Sequence, residues 1–206
     1  MTEPEPGKPR LLVVAGPNGS GKTTVTEQVL KHRWFDGCEY INPDNIAEQQ
    51  YGGWNSAEAV LQAANHAQAL RERCLAEGRD MAFETVFSAD DKVQFIERAL
   101  AAGYFVRVFF VSTRHPSLNA ARITYRVMNG GHDVSIAKII ARYRRSIVNC
   151  TLIARRVDRL YVYDNSVDGA EARLMFRARY GELAKVYAGP IERWADSIHT
   201  ALRAPA

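Results

Sequence analysis

Residues 16–24, Gly16-Pro17-Asn18-Gly19-Ser20-Gly21-Lys22-Thr23-Thr24, set a lysine and two hydroxyls directly behind a glycine-rich turn. The spacing is G-x-x-x-x-G-K-T. The apolar run Leu11-Leu12-Val13-Val14-Ala15 precedes it and a helical pattern follows. That order of strand, tight turn and helix N-terminus is what phosphate binding demands. Glycines let successive peptide N–H groups converge on an anion at the positive end of a helix dipole. In such a loop Lys22 reaches the β- and γ-phosphates and the Thr23 hydroxyl ligates Mg²⁺. A glycine turn that binds nothing is the plainer reading, but it has no need of Lys-Thr at these positions. A dinucleotide fingerprint fits less well, because the glycines fall as G-x-x-G-x-G rather than G-x-G-x-x-G.

Phosphoryl transfer also needs a carboxylate to take a hydroxyl proton and cations to neutralise the spreading phosphate charge. Three carboxylates close predicted strands: Asp44 after Tyr40-Ile41-Asn42-Pro43, Glu84 after Met81-Ala82-Phe83, and Asp164 after Leu160-Tyr161-Val162-Tyr163. Asp164 has the apolar run expected before a Mg²⁺-side aspartate. In small P-loop kinases, however, the strand order 2-3-1-4-5 puts strands 2 and 3 beside the acceptor and strand 5 at the far edge. Asp44 and Glu84 are therefore assigned to chemistry, and Asp164-Asn165-Ser166 to a nucleotide-side or structural role. Asp44 after Pro43 fits a general base and a cap of the turn into Asn45-Ile46-Ala47 equally well. For Glu84 the plain alternative is an ion pair with a core arginine.

Candidate cations come from one stretch. From Arg114 to Arg159 there are ten Lys/Arg against Asp133 and Asp158, a net of +8 in a chain whose total is only +4. Two helices are expected here, 116–128 and 135–156, joined by Asn129-Gly130-Gly131-His132-Asp133. Arg122 and Arg126 lie one turn apart on the first. On the second, Lys138, Arg142, Arg145 and Asn149 share one face, while Ile136, Ile139, Ile140, Tyr143 and Ile147 form the apolar stripe. Arginines on a lid over about 114–156, hinged at Gly130-Gly131, would suit a transferring phosphate. A solvated charged face is the ordinary alternative for any one of them. His115 and His132 show no metal-ligand spacing.

The elements that must position these residues alternate strand and helix, which predicts an α/β fold: a three-layer P-loop NTPase with a mainly parallel five-stranded sheet in the order 2-3-1-4-5. Strands are expected near 10–15, 39–41, 81–85, 104–112 and 159–163. Helices should run to about His32, from Ser56 to Glu77 with Val60, Leu61, Ala64, Ala67 and Cys74 inward, and from Asp90 to Ala102. Asp168-Gly169 reads as the turn of a C-terminal hairpin bringing Leu174-Met175-Phe176 back onto the sheet, and a helix from Pro190 to Leu202 packs Ile191, Trp194 and Ile198.

The 206 residues are 47% hydrophobic and 24% charged, ordinary for one globular domain, here 10–206 behind a loose leader at 1–9. No apolar stretch is long enough for a membrane span. Cys38, Cys74 and Cys150 are odd in number and widely spaced, which fits reduced residues of a cytoplasmic protein.

With these residues assembled, the chain resembles the zeta-toxin-like P-loop kinases, in particular the small bacterial proteins described as predicted ABC-type ATPases or kinases. The matching segments are residues 16–24, Tyr40-Ile41-Asn42-Pro43-Asp44, Phe83-Glu84-Thr85, Arg122 to Arg126 followed by Gly130-Gly131-His132-Asp133-Val134, Arg142-Tyr143-Arg144-Arg145-Ser146, and Val162-Tyr163-Asp164-Asn165-Ser166. The resemblance implies ATP or GTP with Mg²⁺, a small acceptor such as UDP-N-acetylglucosamine, and an antitoxin partner. It implies Asp44 as base, Glu84 toward the acceptor and Arg126 as a lid cation; the loop and the helix spacing add Lys22 and Arg122 as catalytic cations, and Thr85, Arg142 and Arg145 are assigned to the substrate side. The chain lacks much of the C-terminal extension of the larger toxins. A switch ATPase fits less well, since Asp164 is followed by Asn165 rather than Glu. A nucleic-acid partner is set aside because the basic segment 114–159 offers only Tyr125 and Tyr143 for stacking.

Overall fold

All eight residues of Phe105–Ser112 are buried, Arg107 among them, so the fourth strand lies at the centre of the sheet it was expected to join. The computed structural model describes residues 7–53, 56–128 and 134–204. In chain order its elements are β1 (Arg10–Ala15), α1 (Lys22–Leu30), β2 (Glu39–Ile41), α2 (Pro43–Gln50), α3 (Ala57–Glu77), β3 (Met81–Thr85), α4 (Asp90–Ala101), β4 (Phe105–Ser112), α5 (Pro116–Met128), α6 (Ile136–Ile153), β5 (Arg159–Asp164), β6 (Arg173–Arg179), β7 (Glu182–Val186) and α7 (Asp196–Arg203).

The strand order is β2-β3-β1-β4-β5-β6-β7. The first five are parallel, and β6 and β7 add as an antiparallel extension at the β5 edge. Every strand end of the parallel part therefore points to one edge, where open α/β sheets bind ligands. Side chains alternate across the sheet. Leu11, Val13, Phe83, Val106, Val108 and Phe110 meet α3, α4, α6 and α7 on one face. Leu12, Val14, Phe109 and Tyr161 meet Val25 and Val29 of α1 and Trp34 on the other. This is the expected three-layer arrangement: the five parallel strands stand in the expected order, β6 is the expected hairpin strand, and β7 is additional. β7 escaped notice because Glu182–Val186 is nearly all exposed and carries no apolar alternation.

Three local expectations need correction. On α3 the inward stripe is Ala59, Ala63, Ala67, Arg71 and Cys74, and Val60 and Leu61 are 43% and 61% exposed. Small side chains four apart let this helix lie close to the sheet, and the Arg71 guanidinium covers the Phe83 ring at 5.3 Å. On α6, Ile136 is 64% exposed and Ile140 only partly covered, while Ile139, Tyr143, Ser146, Asn149, Cys150 and Ile153 face inward. Asn149 thus leaves the basic face to which its spacing assigned it. Its amide donates to the Phe87 carbonyl at 3.1 Å and to that of Ala89 at 3.4 Å. Phe87 has φ +59°, and the turn after β3 leaves these carbonyls in the interior, where they require donors. The C-terminal helix is also shorter than expected: a 3-10 turn at Arg193–Ala195 precedes α7, with Trp194 and Ile198 in the core. The Gly130-Gly131 hinge, with His132 and Asp133, lies outside the described residues. No described helix is long and apolar enough to cross a membrane.

Candidate functional site

The P-loop glycines are required by their neighbours as well as by their backbone angles. A Cβ on Gly16 would sit 2.0 Å from the Val111 carbonyl oxygen, one on Gly19 2.6 Å from that of Asn119, and one on Gly21 2.1 Å from the Asn165 amide nitrogen. Gly21 occupies the N-cap of α1 in the left-handed region, at φ +85°. No side chain caps this helix, so its first-turn N–H groups remain available to an anion.

Two asparagines from distant elements hold the loop. Asn119 on α5 donates through Nδ2 to the Asn18 carbonyl at 2.6 Å, and its Oδ1 accepts from the Thr113 hydroxyl. Asn165, just past β5, donates to the Ser20 carbonyl at 2.9 Å, its own N–H bound to the Ser112 carbonyl. In a planar trans peptide the N–H points opposite its C=O. Fixing the Asn18 and Ser20 carbonyls therefore aims the Gly19 and Gly21 N–H groups the other way, and both glycines line the cleft.

That cleft has a volume of about 490 Å³. Lys22, Thr23 and Thr24 form one wall with the glycines, Arg122 and Arg126 of α5 another, and Asn165 with residues 167–170 a third. Lys22 Nζ donates to the Pro17 carbonyl at 3.1 Å. Burial lowers its pKa to about 8; the Glu84 charge opposes that shift and the Arg126 charge adds to it. Thr23 lines the cleft, and its hydroxyl has no hydrogen-bond partner among the described residues. Nor is there, among the described residues, a group of three His, Cys, Asp or Glu that could cage a metal. A lone hydroxyl beside a phosphate cradle fits a Mg²⁺ shared with bound phosphates.

The other expected site residues divide. Arg126 faces the cleft. Arg122 lines it too, but its guanidinium is engaged: Nε and Nη2 donate to Asp168 Oδ1 at 2.9 and 2.5 Å, and Nη1 lies 3.5 Å from the Gly19 carbonyl. Arg142 reaches the loop from α6, donating to Asn18 Oδ1 at 3.3 Å. Arg145 is exposed and makes no bond to the cleft among the described residues. Glu84 accepts from the Tyr40 hydroxyl at 2.9 Å, and that hydroxyl also accepts from Asn42 Nδ2 at 3.1 Å. The Tyr40 phenol is pushed well up by its burial and by the Glu84 charge. No core arginine pairs with Glu84 among the described residues. Thr85 is occupied structurally: its hydroxyl accepts from Phe87 N at 3.1 Å and its carbonyl from Gly16 N at 3.2 Å. Asp44 is exposed on the first turn of α2, and the cap of that helix is Asn42, whose Oδ1 accepts from Asp44 N at 2.8 Å. Asp164 is buried, its Oδ1 accepting from Ser166 Oγ at 2.6 Å and Trp194 Nε1 at 3.2 Å.

A match to the Zeta toxin family model covers residues 1–171. The chain belongs to the Zeta toxin family. An uncharacterized protein of Haemophilus influenzae is 29% identical over 136 residues, which span 66% of this chain and 91% of that protein. Among solved structures, one from the PezAT chromosomal toxin–antitoxin system of Streptococcus pneumoniae aligns over 97% of this chain and 80% of its own, with a TM-score of 0.61 at 15% identity. The AvrRxo1-ORF1:-ORF2 complex with ATP aligns over 95% of this chain with a TM-score of 0.65 at 14% identity, and this chain spans 64% of that one. At such identities the structural likeness speaks for the fold alone, a three-layer α/β fold with a P-loop.

Sequence reading missed Asn119 and residues 167–170. Asn119 sits within an ordinary amphipathic helix, and Asp168-Gly169 reads locally as a hairpin turn. Only the packing of α5 and the β5–β6 loop over the P-loop reveals their place.

Proposed function

We propose that this chain is an ATP- or GTP-dependent kinase that transfers the γ-phosphoryl group to a hydroxyl of a phosphorylated or nucleotide-linked acceptor. UDP-N-acetylglucosamine is the acceptor suggested by the family resemblance. The observation that carries the reading is the coupling of the phosphate cradle to the neighbouring strand end. Lys22, behind β1, feels the charge of Glu84 on β3. Glu84 is tied through Tyr40 to Asn42, which caps the helix bearing Asp44.

In this reading the loop amides and Lys22 hold the triphosphate, and Thr23 would share in holding Mg²⁺, which supplies charge neutralisation when bound. Asp44 takes the acceptor hydroxyl proton. The oxygen forms its bond to the γ-phosphorus as the bond to the β–γ bridging oxygen breaks, leaving the nucleoside diphosphate. Arg126, and Arg122 once released from Asp168, neutralise the spreading charge. Glu84 and Arg142 orient the acceptor, Thr85 supports the start of the loop through Gly16, and Arg145 lies further out. The relatives' toxin–antitoxin setting supports a protein partner, and the nucleotide chemistry supports a cytoplasmic site of action.

Incubation with γ-labelled ATP and a metabolite extract tests the proposal. A labelled small molecule that disappears with Lys22→Ala supports it. Hydrolysis with label only in inorganic phosphate would identify a switch ATPase instead.

A further inference from the structure

The sheet face roofed by α1 changes character between β4 and β7. Residues paired across adjacent strands share a face, so two rows can be followed across it. One runs Arg107, Arg159, Arg179, Glu182, and the next runs Phe109, Tyr161, Arg177, Lys185. Trp34 covers Phe109 and Tyr161, with ring centroids 6.1 and 5.8 Å away. Past Tyr161 the cover ends: Arg177 is half-buried, and Arg179, Glu182 and Lys185 are exposed. On the opposite face α7 packs against β6 and β7, with His199 against Phe176 and Ile198 in the main core.

Cations and rings lie side by side along this open strip. Arg179 lies 5.3 Å from the Tyr180 ring, with the buried Arg159 4.5 Å from it beneath, and Lys185 lies 4.7 Å from the Tyr187 ring. Tyr163, next on this face after Tyr161, has Tyr187 as an electrostatic neighbour. Buried Arg107, 3.8 Å from the Trp34 ring, adds charge beneath the same rows. Among the described residues Arg177, Arg179 and Lys185 have no ion pair, and Glu182 is the one carboxylate in the two rows.

We propose that this strip binds single-stranded nucleic acid, its phosphates on Arg177, Arg179 and Lys185 and its bases against Tyr163, Tyr180 and Tyr187. An acidic polypeptide would use the cations alone. The interleaved rings favour a ligand that offers a π-face at every repeat, and base stacking is tolerant of sequence. The basic helices lacked such rings; the fold supplies them at the C-terminal strands. This surface goes beyond the kinase reading and does not depend on it.

The test is fluorescence anisotropy with a labelled oligothymidylate of about 20 nucleotides, at salt between about 50 and 200 mM. Binding is expected, with log affinity falling against log salt at a slope of about −2, from three phosphates on a single strand. Lys185→Glu, alone and with Arg177→Glu, should weaken it at least tenfold while melting and ATP affinity stay unchanged. Tyr187→Leu should weaken it and leave the salt slope as it was. No binding at the low salt, or binding indifferent to Lys185→Glu, overturns the proposal. Equal displacement by polyglutamate of matched charge overturns it too, and assigns the strip to an acidic protein.

Discussion

The Asn119 amide donates to the Asn18 carbonyl at 2.6 Å across 101 residues of sequence. With Asn165 on Ser20, it makes α5 and the end of β5 part of the phosphate cradle. A loop of glycines has no stiffness of its own; these two donors supply it.

Removing one donor should therefore disorder the loop before it unfolds the protein. Asn119→Ala leaves the Asn18 carbonyl without its donor, while the Thr113 hydroxyl keeps the His115 carbonyl at 3.1 Å, at a cost of about 1–3 kcal/mol. ATP affinity should fall roughly tenfold, about 1.4 kcal/mol. Calorimetric titration with ATP, alongside thermal melting, separates the two effects.

Asp168→Asn should act in the opposite sense. The Asp168 side chain is 76% exposed, so its pair with Arg122 adds little to stability, about 0–1 kcal/mol. Freed, Arg122 becomes available to a phosphate. Nucleotide affinity should rise several-fold with melting unchanged. A drop in affinity would mean instead that Asp168 itself contacts the nucleotide.

Lys22 sets the pH dependence. Its pKa is about 8 in the fold against 10.5 for an unperturbed lysine. Between those values the unfolded chain binds more protons than the folded one, so this group makes stability rise with pH across that interval. Nucleotide binding runs the other way, because a triphosphate favours the charged ammonium and draws a proton in. ATP affinity should decline above about pH 8, by up to tenfold per unit. Titrations in buffers of different ionisation enthalpy should show proton uptake, and Lys22→Met should abolish it.

The first five strands and the P-loop were legible in sequence because each is a local pattern, and their order followed from the fold class that the P-loop implies. An apolar run, a glycine turn and a helix start need no distant partner. The α3 stripe was misread because alanines at 59, 63 and 67 pack closer than the larger Val60 and Leu61, which periodicity alone would turn inward. Asn149 looked like one more member of a polar face until Phe87 and Ala89 required its amide. Asp168 and Asn119 act through contacts with elements far along the chain, and no spacing announces those.

Glycine substitutions should separate loop geometry from simple backbone preference. At Gly78, φ +63° with open space around it, alanine pays only the left-handed penalty of about 1–2 kcal/mol. At Gly16 an added Cβ would overlap the Val111 carbonyl, which is backbone. Gly16→Ala should abolish ATP binding, while Gly78→Ala should melt somewhat lower with binding intact.

The central claim is that a triphosphate held after β1 loses its terminal group to an alcohol deprotonated by Asp44. Its most direct test compares ATP affinity and label transfer in Asp44→Asn, using whichever acceptor the extract experiment identifies. Unchanged affinity with transfer reduced at least a hundredfold, about 2.7 kcal/mol of barrier, is the expected result. Transfer at the unsubstituted rate would contradict the claim.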